Sequence, residues 1–409
     1  MKNFTSVLIA TFAEHAHGKR LAMNGMIEPM LSFFLPKTKK TVLIDQPYPG
    51  SDTLIPIIET YKNEKLVKTA KSSKFIYFLY PFLKKVNYDA THVSFKIRDF
   101  LSVLDYGLRD KTRFDIFIGL EAINALAGIL LKKLGKVETV VYYVSDYSPT
   151  RYKLLWFNKL YLLLDRFAVT HSDFVWDVSK AMMPARIKVG LDPKKAAPLI
   201  HVPNALHPEQ INYLPYSKII PNSLVYGGTL GKENGPDIVI EALNLVAKSI
   251  PQATLHIYGD GEPDISRLKK LTEKLKLTDK VKFHGFITDQ VELSNKTKQY
   301  AIGLAPYLAV PESPRWWADS TKIRLYLGAG LPVITTQVPP LGKEIEEGKA
   351  GLIAKDNPKK QAQAIIKLLR DTNLYKTFKS NAIKMGRNNI WENTYSQALD
   401  NMFLDLRIR

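Results

Sequence analysis

Apolar positions along this chain fall into two alternating patterns. Short runs of aliphatic and aromatic residues, each closed by a loop rich in Gly, Pro, Asp or Ser, read as buried strands. Between them, longer segments with apolar residues every three or four positions read as amphipathic helices. Residues 4–11 form the first expected strand, 12–18 the loop after it, and 19–34 a helix with Pro29 as a kink. A second strand covers 41–45, and the turn-rich loop 46–52 follows it. A hairpin is expected over 55–68, around Lys62-Asn63-Glu64-Lys65. Strands at 114–120, 138–145, 173–179 and 198–202 complete this half, with a helix opening at Glu121 and another over 152–166. In the second of these helices the spacing of Trp156, Phe157, Leu160, Tyr161, Leu163 and Leu164 predicts a core element.

The run 204–222 is polar and holds Pro208 and Pro215, so it reads as a linker. The pattern then restarts. Strands are expected at 224–228, 254–258, 281–284 and 300–305, with a helix over 237–247 and a closing helix from Trp391 to about residue 407. Alternation of this kind means an α/β chain with doubly wound parallel sheets. At 409 residues, 45% of them hydrophobic, the chain is long enough for two cores. The expected division is a domain over 1–203, the linker, a second domain over 223–388 and a closing segment over 389–409.

Residues 318–336 read as loop, helix, tight turn and strand. Asp319, Ser320 and Thr321 suit a helix N-cap, and Gly328-Ala329-Gly330 ends the helix. A helix N-terminus that carries hydroxyls and Lys322 is a ready anion site. A second anion-binding signal is the glycine-rich turn at 227–236, which follows a strand and opens a helix. It lacks the Gly-Lys-Ser/Thr ending of a P-loop. Between these two stretches, the loop 306–319 carries Glu312, Arg315, Trp316 and Trp317. Two adjacent tryptophans in a loop suggest that one stacks on a ligand or serves as a lid.

The chain has no cysteine, which excludes a disulfide framework and any thiolate metal site or nucleophile. This is compatible with a cytoplasmic protein. No apolar run approaches the roughly 20 residues of a membrane span. The first residues resemble a strand rather than a signal peptide, because Glu14 and His15 follow the apolar run. The net charge of +19 favours polyanions: nucleic acid, anionic lipid headgroups or phosphorylated substrates. The charge is spread along the chain without an RNA-binding signature, so nucleic acid is not the expected partner. Residues 71–111 mix Phe75, Tyr77, Phe78, Tyr80 and Phe82 with Lys71, Lys74, Lys84 and Lys85. Helices there would either lie on an anionic membrane or pack on the sheet with a solvated basic face.

In an open parallel sheet, ligands meet the carboxyl ends of the strands. Glu14, His15 and His17 follow the first strand, Glu121 and Asn124 open the helix after 114–120, and Asp146 lies just past 138–145. Each is a candidate acid, base or donor, and each is equally explained as a solvated loop residue or a helix cap.

The second half resembles the family 4 glycosyltransferases, members of the glycosyl transferases group 1. The matching features are LVYGGTLGKENGPDIVIEAL, TLHIYGDGE, VKFHGFI, the Thr-Lys…Tyr-Leu-Gly-Ala-Gly-Leu-Pro-Val-Ile stretch, GKAGLIA and the final Trp391-Glu392-Asn393 helix. Order and spacing fit over 224–406, and the first half fits more loosely through YYVSDY, SDFVWDVS and HVPNALHP. The resemblance implies a GT-B fold of two facing Rossmann-like domains, with the last helix packed back on the first domain. It also implies transfer of a sugar from a nucleotide-diphosphate donor with retention, without a metal or other cofactor.

The donor diphosphate would meet Gly228 and Thr229 and the helix opened by Ser320, Thr321 and Lys322. Its base would lie near His284, Gly285 and Phe286, with Gly259 and Gly261 nearby. Asp146 and Lys322 would serve the reaction. A glycan or lipid-linked acceptor would face Glu14, His17, Glu121 and Asn124. The expected location is the cytoplasm, at the inner face of the membrane. The sequence departs from the family at four positions. Thr229 and Asn234 stand where an arginine and a lysine are usual, and Trp317 and Leu325 where two glutamates are usual. Two alternatives therefore stay open: a degenerate GT-B subunit that binds without turnover, and a sugar-nucleotide epimerase on the same fold.

Overall fold

The computed structural model describes residues 4–21, 25–73, 76 and 93–408. The chain divides into two compact units, Met1–Pro203 with Tyr395–Arg409, and Asn204–Thr394. In the basic aromatic region 71–111, residues 74–75 and 77–92, which hold Phe75, Tyr77, Phe78, Tyr80 and Phe82, lie outside the described residues, so its membrane reading has no structural counterpart here. Among the described residues no helix is long and apolar enough to cross a membrane.

In the first unit, nine strands among the described residues build one sheet. They are β1 (Ser6–Ala16), β2 (Lys19–Leu21), β3 (Lys40–Pro47), β4 (Ile57–Lys62), β5 (Lys65–Lys71), β6 (Phe114–Leu120), β7 (Val137–Val144), β8 (Phe174–Asp177) and β9 (Leu199–His201). The order is β5-β4-β3-β1-β6-β7-β8-β9, parallel from β3 to β9. The β4–β5 hairpin adds an antiparallel edge through the expected Asn63-Glu64 turn. Both turn residues adopt positive φ, as the twist of a two-residue hairpin demands.

Two expectations fail in this unit. The segment 12–18 is not a loop: β1 runs to Ala16 and pairs antiparallel with β2 across a His17-Gly18 turn. The helix expected from residue 19 therefore starts at Ile27 and covers Ile27–Phe34. The helix Leu155–His171 is not a core element either. Phe157, Asp165, Ala168 and Val169 are buried, while Leu155, Trp156, Leu160, Leu163 and Phe167 are exposed. Both of its faces carry apolar residues, and a 3.6-residue period cannot say which one meets the sheet.

The second unit carries six parallel strands: β10 (Ser223–Gly227), β11 (Thr254–Tyr258), β12 (Val281–Phe283), β13 (Ile302–Ala305), β14 (Val333–Thr335) and β15 (Gly351–Ile353). Their order, β12-β11-β10-β13-β14-β15, reverses between β10 and β13. The crevice outside the carboxyl ends of these two strands is where doubly wound sheets bind ligands. The central strands β10, β11, β13 and β14 are buried, while the edge strands β12 and β15 are partly exposed, as position in a parallel sheet requires. The closing helix, Trp391–Ile408, spans the boundary in sequence. Its Tyr395 is fully buried in the first unit against Phe33, Phe34, Tyr143 and Trp176.

Candidate functional site

At the point of strand reversal, β10 ends in Gly227 and turns at Gly228, whose φ is +112°. A Cβ there would sit 3.2 Å from the Cε of Lys322 in a backbone region closed to other residues. The next strand end is equally tight, since a Cβ on Gly259 would lie 2.3 Å from the Gly228 carbonyl oxygen. Gly228 N–H donates to the Tyr258 carbonyl and Gly259 N–H to that of Gly285, both at 2.8 Å. Three successive strand ends thus present bare backbone to one crevice.

The wall opposite is the helix Thr321–Gly328. Ser320 is its N-cap, and the serine oxygen accepts from the Ile323 N–H at 3.3 Å. The same oxygen lies 2.7 Å from the Tyr307 hydroxyl, so Ser320 is committed to holding the helix start. Tyr326 ties the helix to the sheet: its hydroxyl accepts from Gly227 N–H at 2.8 Å and donates to the Leu304 carbonyl at 3.2 Å. The first turn therefore points its free N–H groups and its positive dipole end at the β10 turn. Thr321 is exposed there.

Lys322 is the main electrostatic feature. Its ammonium nitrogen is shut off from solvent and has no hydrogen-bond partner among the described residues. It lies 3.8 Å from the Tyr226 ring centre and 5.2 Å from that of Tyr307. The ring faces replace only part of the lost hydration. Burial, with the Arg315 cation adding to it, pushes the Lys322 pKa well below that of an ordinary lysine.

Arg315 reaches the same region from the loop after β13. Its Nε donates to Asn234 Oδ1 at 2.9 Å, and the Asn234 amide donates to Thr229 Oγ1 at 2.8 Å. Glu233 lies 3.5 Å away as a partial counter-ion. Thr229 and Asn234, which replace the family's basic pair, thus form a neutral seat for a cation brought in from elsewhere. Arg315, offset only by the half-exposed Glu233, and the Lys322 amine, which an anion would help to charge, make a site that favours an anion. Leu325, at one of the usual glutamate positions, is buried and apolar, so it offers no carboxylate. Trp316 and Trp317 are both half-buried, and the Trp316 indole donates to the Val310 carbonyl.

Filling the anion site restores a charge partner to Lys322 and raises its pKa toward normal. Binding of an anion there is therefore expected to take up a proton at pH values between the depressed pKa of the free site and the restored one of the complex. Below the depressed pKa the lysine is already charged and no uptake occurs. Affinity should accordingly fall as pH rises. Calorimetry in buffers of different ionisation enthalpy measures the uptake, and Lys322→Gln should abolish it.

Beside this crevice, His284 stacks on Tyr258 with ring centres 4.5 Å apart, and its Nε2 lies 3.0 Å from His256 Nδ1. Burial holds His256 neutral, with its pKa lowered to about 4. Phe286 is 66% exposed, and Gly261 has open space around it.

In the first unit, β1 and β6 flank the point where that sheet reverses. Glu121 follows β6 directly, with a φ of 65° that is rare for a residue with a side chain. Its carboxylate accepts from the Ser145 hydroxyl at 2.7 Å, and burial raises its pKa against the pull of Arg151. Arg151 also binds the Asp146 carboxylate at 2.9 Å, so Glu121 and Asp146 share one cation. Asn124 does not join them. It is buried, exchanges hydrogen bonds of 2.8 and 2.9 Å with the Gln46 amide, and offers nothing to an acceptor. Glu14 and His17 belong to the β1–β2 hairpin, where His17 is exposed at the turn and its N–H donates to Asp52. Sequence reasoning missed Tyr226, which reads there as one more apolar strand residue, and Arg151, which pairs with Asp146 and acts electrostatically on Glu121, 25 residues before that aspartate in sequence.

Comparison with known proteins bears on the fold and on the second unit. Residues 221–371 match the family described as "Glycosyl transferases group 1". Over the whole chain the fold is GT-B. Sucrose-phosphate synthase from Thermosynechococcus elongatus aligns over 99% of both chains with a TM-score of 0.68 at 14% identity. HepE from Anabaena, solved in complex with UDP, aligns over 97% of this chain and 100% of its own, with a TM-score of 0.66 at 14% identity. A poly(glycerol-phosphate) alpha-glucosyltransferase of Bacillus subtilis is 30% identical over 179 residues, which is 41% of this chain. The match spans only 24% of that relative's length.

Proposed function

We propose that this chain is a glycosyltransferase that moves a sugar from a nucleoside-diphosphate donor to a glycan or lipid-linked acceptor, with retention, at the cytoplasmic face of the membrane. The observation that carries the reading is Lys322, whose buried amine has no hydrogen-bond partner among the described residues and is set with Arg315 against a glycine turn and a helix N-terminus. In this reading the diphosphate lies against Gly228, Thr229 and the first turn opened by Ser320, Thr321 and Lys322. As the bond between the anomeric carbon and the β-phosphate oxygen breaks, negative charge builds on the leaving diphosphate. Lys322, Arg315 and the helix dipole hold that charge in a site that needs no reorganisation. The base lies along Gly259, Gly261, His284, Gly285 and Phe286, whose exposed rings offer stacking surface. Asp146 and Glu121 serve the acceptor. The UDP complex of HepE and the alpha-glucosyl transfer in the Bacillus relative's name support a uridine nucleotide carrying a hexose.

A panel of nucleotide sugars tested by thermal shift examines this reading. At a hundred times Kd the true donor should add about 2.7 kcal/mol to stability. It should then release its nucleotide slowly in water and faster with a glycan acceptor. If no nucleoside-diphosphate sugar stabilises the protein, the reading fails. Binding without any nucleotide release would favour a degenerate subunit.

A further inference from the structure

The helix Leu155–His171 leaves a ladder of apolar side chains in solvent: Leu155 is 77% exposed, Trp156 52%, Leu160 40%, Leu163 59% and Phe167 38%. Trp156, Leu160, Leu163 and Phe167 recur at the spacing of one helix face. From Leu155 to Phe167 this stripe extends about 18 Å along the helix. The one acid of the helix, Asp165, points inward and is held by Arg186. Lys153 and Lys159 are exposed around the start of the stripe. Past its far end lies the segment 187–199, joined to the helix where Arg166 donates to the Val189 carbonyl and Ala197 donates to the Val169 carbonyl. That segment adds exposed Ile187 and Leu199, and exposed Lys188, Lys194 and Lys195 against a single exposed acid, Asp192.

We infer that this face is a docking surface for an anionic phospholipid membrane, with the helix lying in the plane of the headgroups. Apolar residues enter the acyl boundary, Trp156 settles at the water interface, and the lysines meet headgroup phosphates. Charge complementarity distinguishes this occupant from a second copy of the chain, which would bring the same lysines face to face. The inference is independent of the donor site and stands on a different element.

The absence of cysteine in the chain makes the test direct. Leu163→Cys, carrying an environment-sensitive fluorophore, should label readily in the free protein. It should then shift to the blue on vesicles of phosphatidylglycerol and phosphatidylcholine, and not on phosphatidylcholine alone. Added salt should weaken the effect, since the lysine attraction is screened. In the unlabelled protein, Leu155→Glu with Leu163→Glu should reduce vesicle flotation at least tenfold and leave nucleotide binding and the melting temperature unchanged. Three outcomes would overturn the inference. A thiol that resists labelling means the chain's own residues cover the face. Protection that grows with protein concentration and without lipid means a second copy does. Equal flotation of parent and double variant means the membrane, if bound at all, is met elsewhere.

Discussion

Replacing Lys322 with methionine is expected to raise the melting temperature of the ligand-free protein and to weaken nucleoside-diphosphate binding ten- to hundredfold. The two effects share one cause. In the free protein the ammonium is buried over two tyrosine rings with no acceptor. An unsatisfied buried polar group of this kind costs about 1–3 kcal/mol, which a methionine of similar length recovers. In the complex the lysine would make a charge-assisted hydrogen bond worth about 1.5–3 kcal/mol, and its loss gives the stated range in affinity. Calorimetric titration beside thermal melts measures both. A variant that loses stability and keeps its affinity would make Lys322 a packing residue. Lys322→Arg should rescue only partly, because the wider guanidinium must enter beside the Gly228 turn.

The second large effect is expected at Arg186, in the first unit. Its guanidinium is buried between Asp165, at 2.9 Å, and Asp177, at 2.7 Å. Asp165 also accepts from the Tyr142 hydroxyl at 2.7 Å, and the guanidinium lies 4.5 Å from the Tyr147 ring centre. Arg186→Met would leave two carboxylates in the core without a cation. Burial already pushes the Asp177 pKa up, and only the arginine opposes that. Removing one member of a buried ion network costs about 3–5 kcal/mol. For a unit of this size that lowers the melting temperature by roughly 6–20 °C. Scanning calorimetry reads the shift. Adding Asp165→Asn and Asp177→Asn to Arg186→Met should recover part of it, because the carboxylates then no longer need a charge partner. If Arg186→Met melts like the parent, the network carries no stability.

The second unit is readable from the chain because its central strands are buried. The strands at 224–228 and 254–258 are mostly apolar and run into glycine, which marks both their burial and their ends. The Ser320 N-cap was equally plain, since capping depends on residues three positions apart. The first unit hid more. Its β1–β2 hairpin depends on a His17-Gly18 turn that looks like an ordinary loop before a helix. The burial of Asn124 depends on Gln46, 78 residues earlier, and no local pattern announces such a pair. The same holds for Arg315, whose seat on Asn234 joins positions 81 residues apart. Lys322 was visible as a lysine at a helix start. That it has no partner is a property of its surroundings, which periodicity does not encode.

The seat formed by Thr229 and Asn234 also bears on how this chain can change. Neither residue is charged, and the positive charge beside them is brought in by Arg315. An arginine placed at 229 alone would face Arg315 and lose the hydroxyl that steadies Asn234. A lysine placed at 234 alone would unseat Arg315 and repel it. Thr229, Asn234 and Arg315 are thus mutually dependent, so a change tolerated at one of them is decided by what stands at the other two.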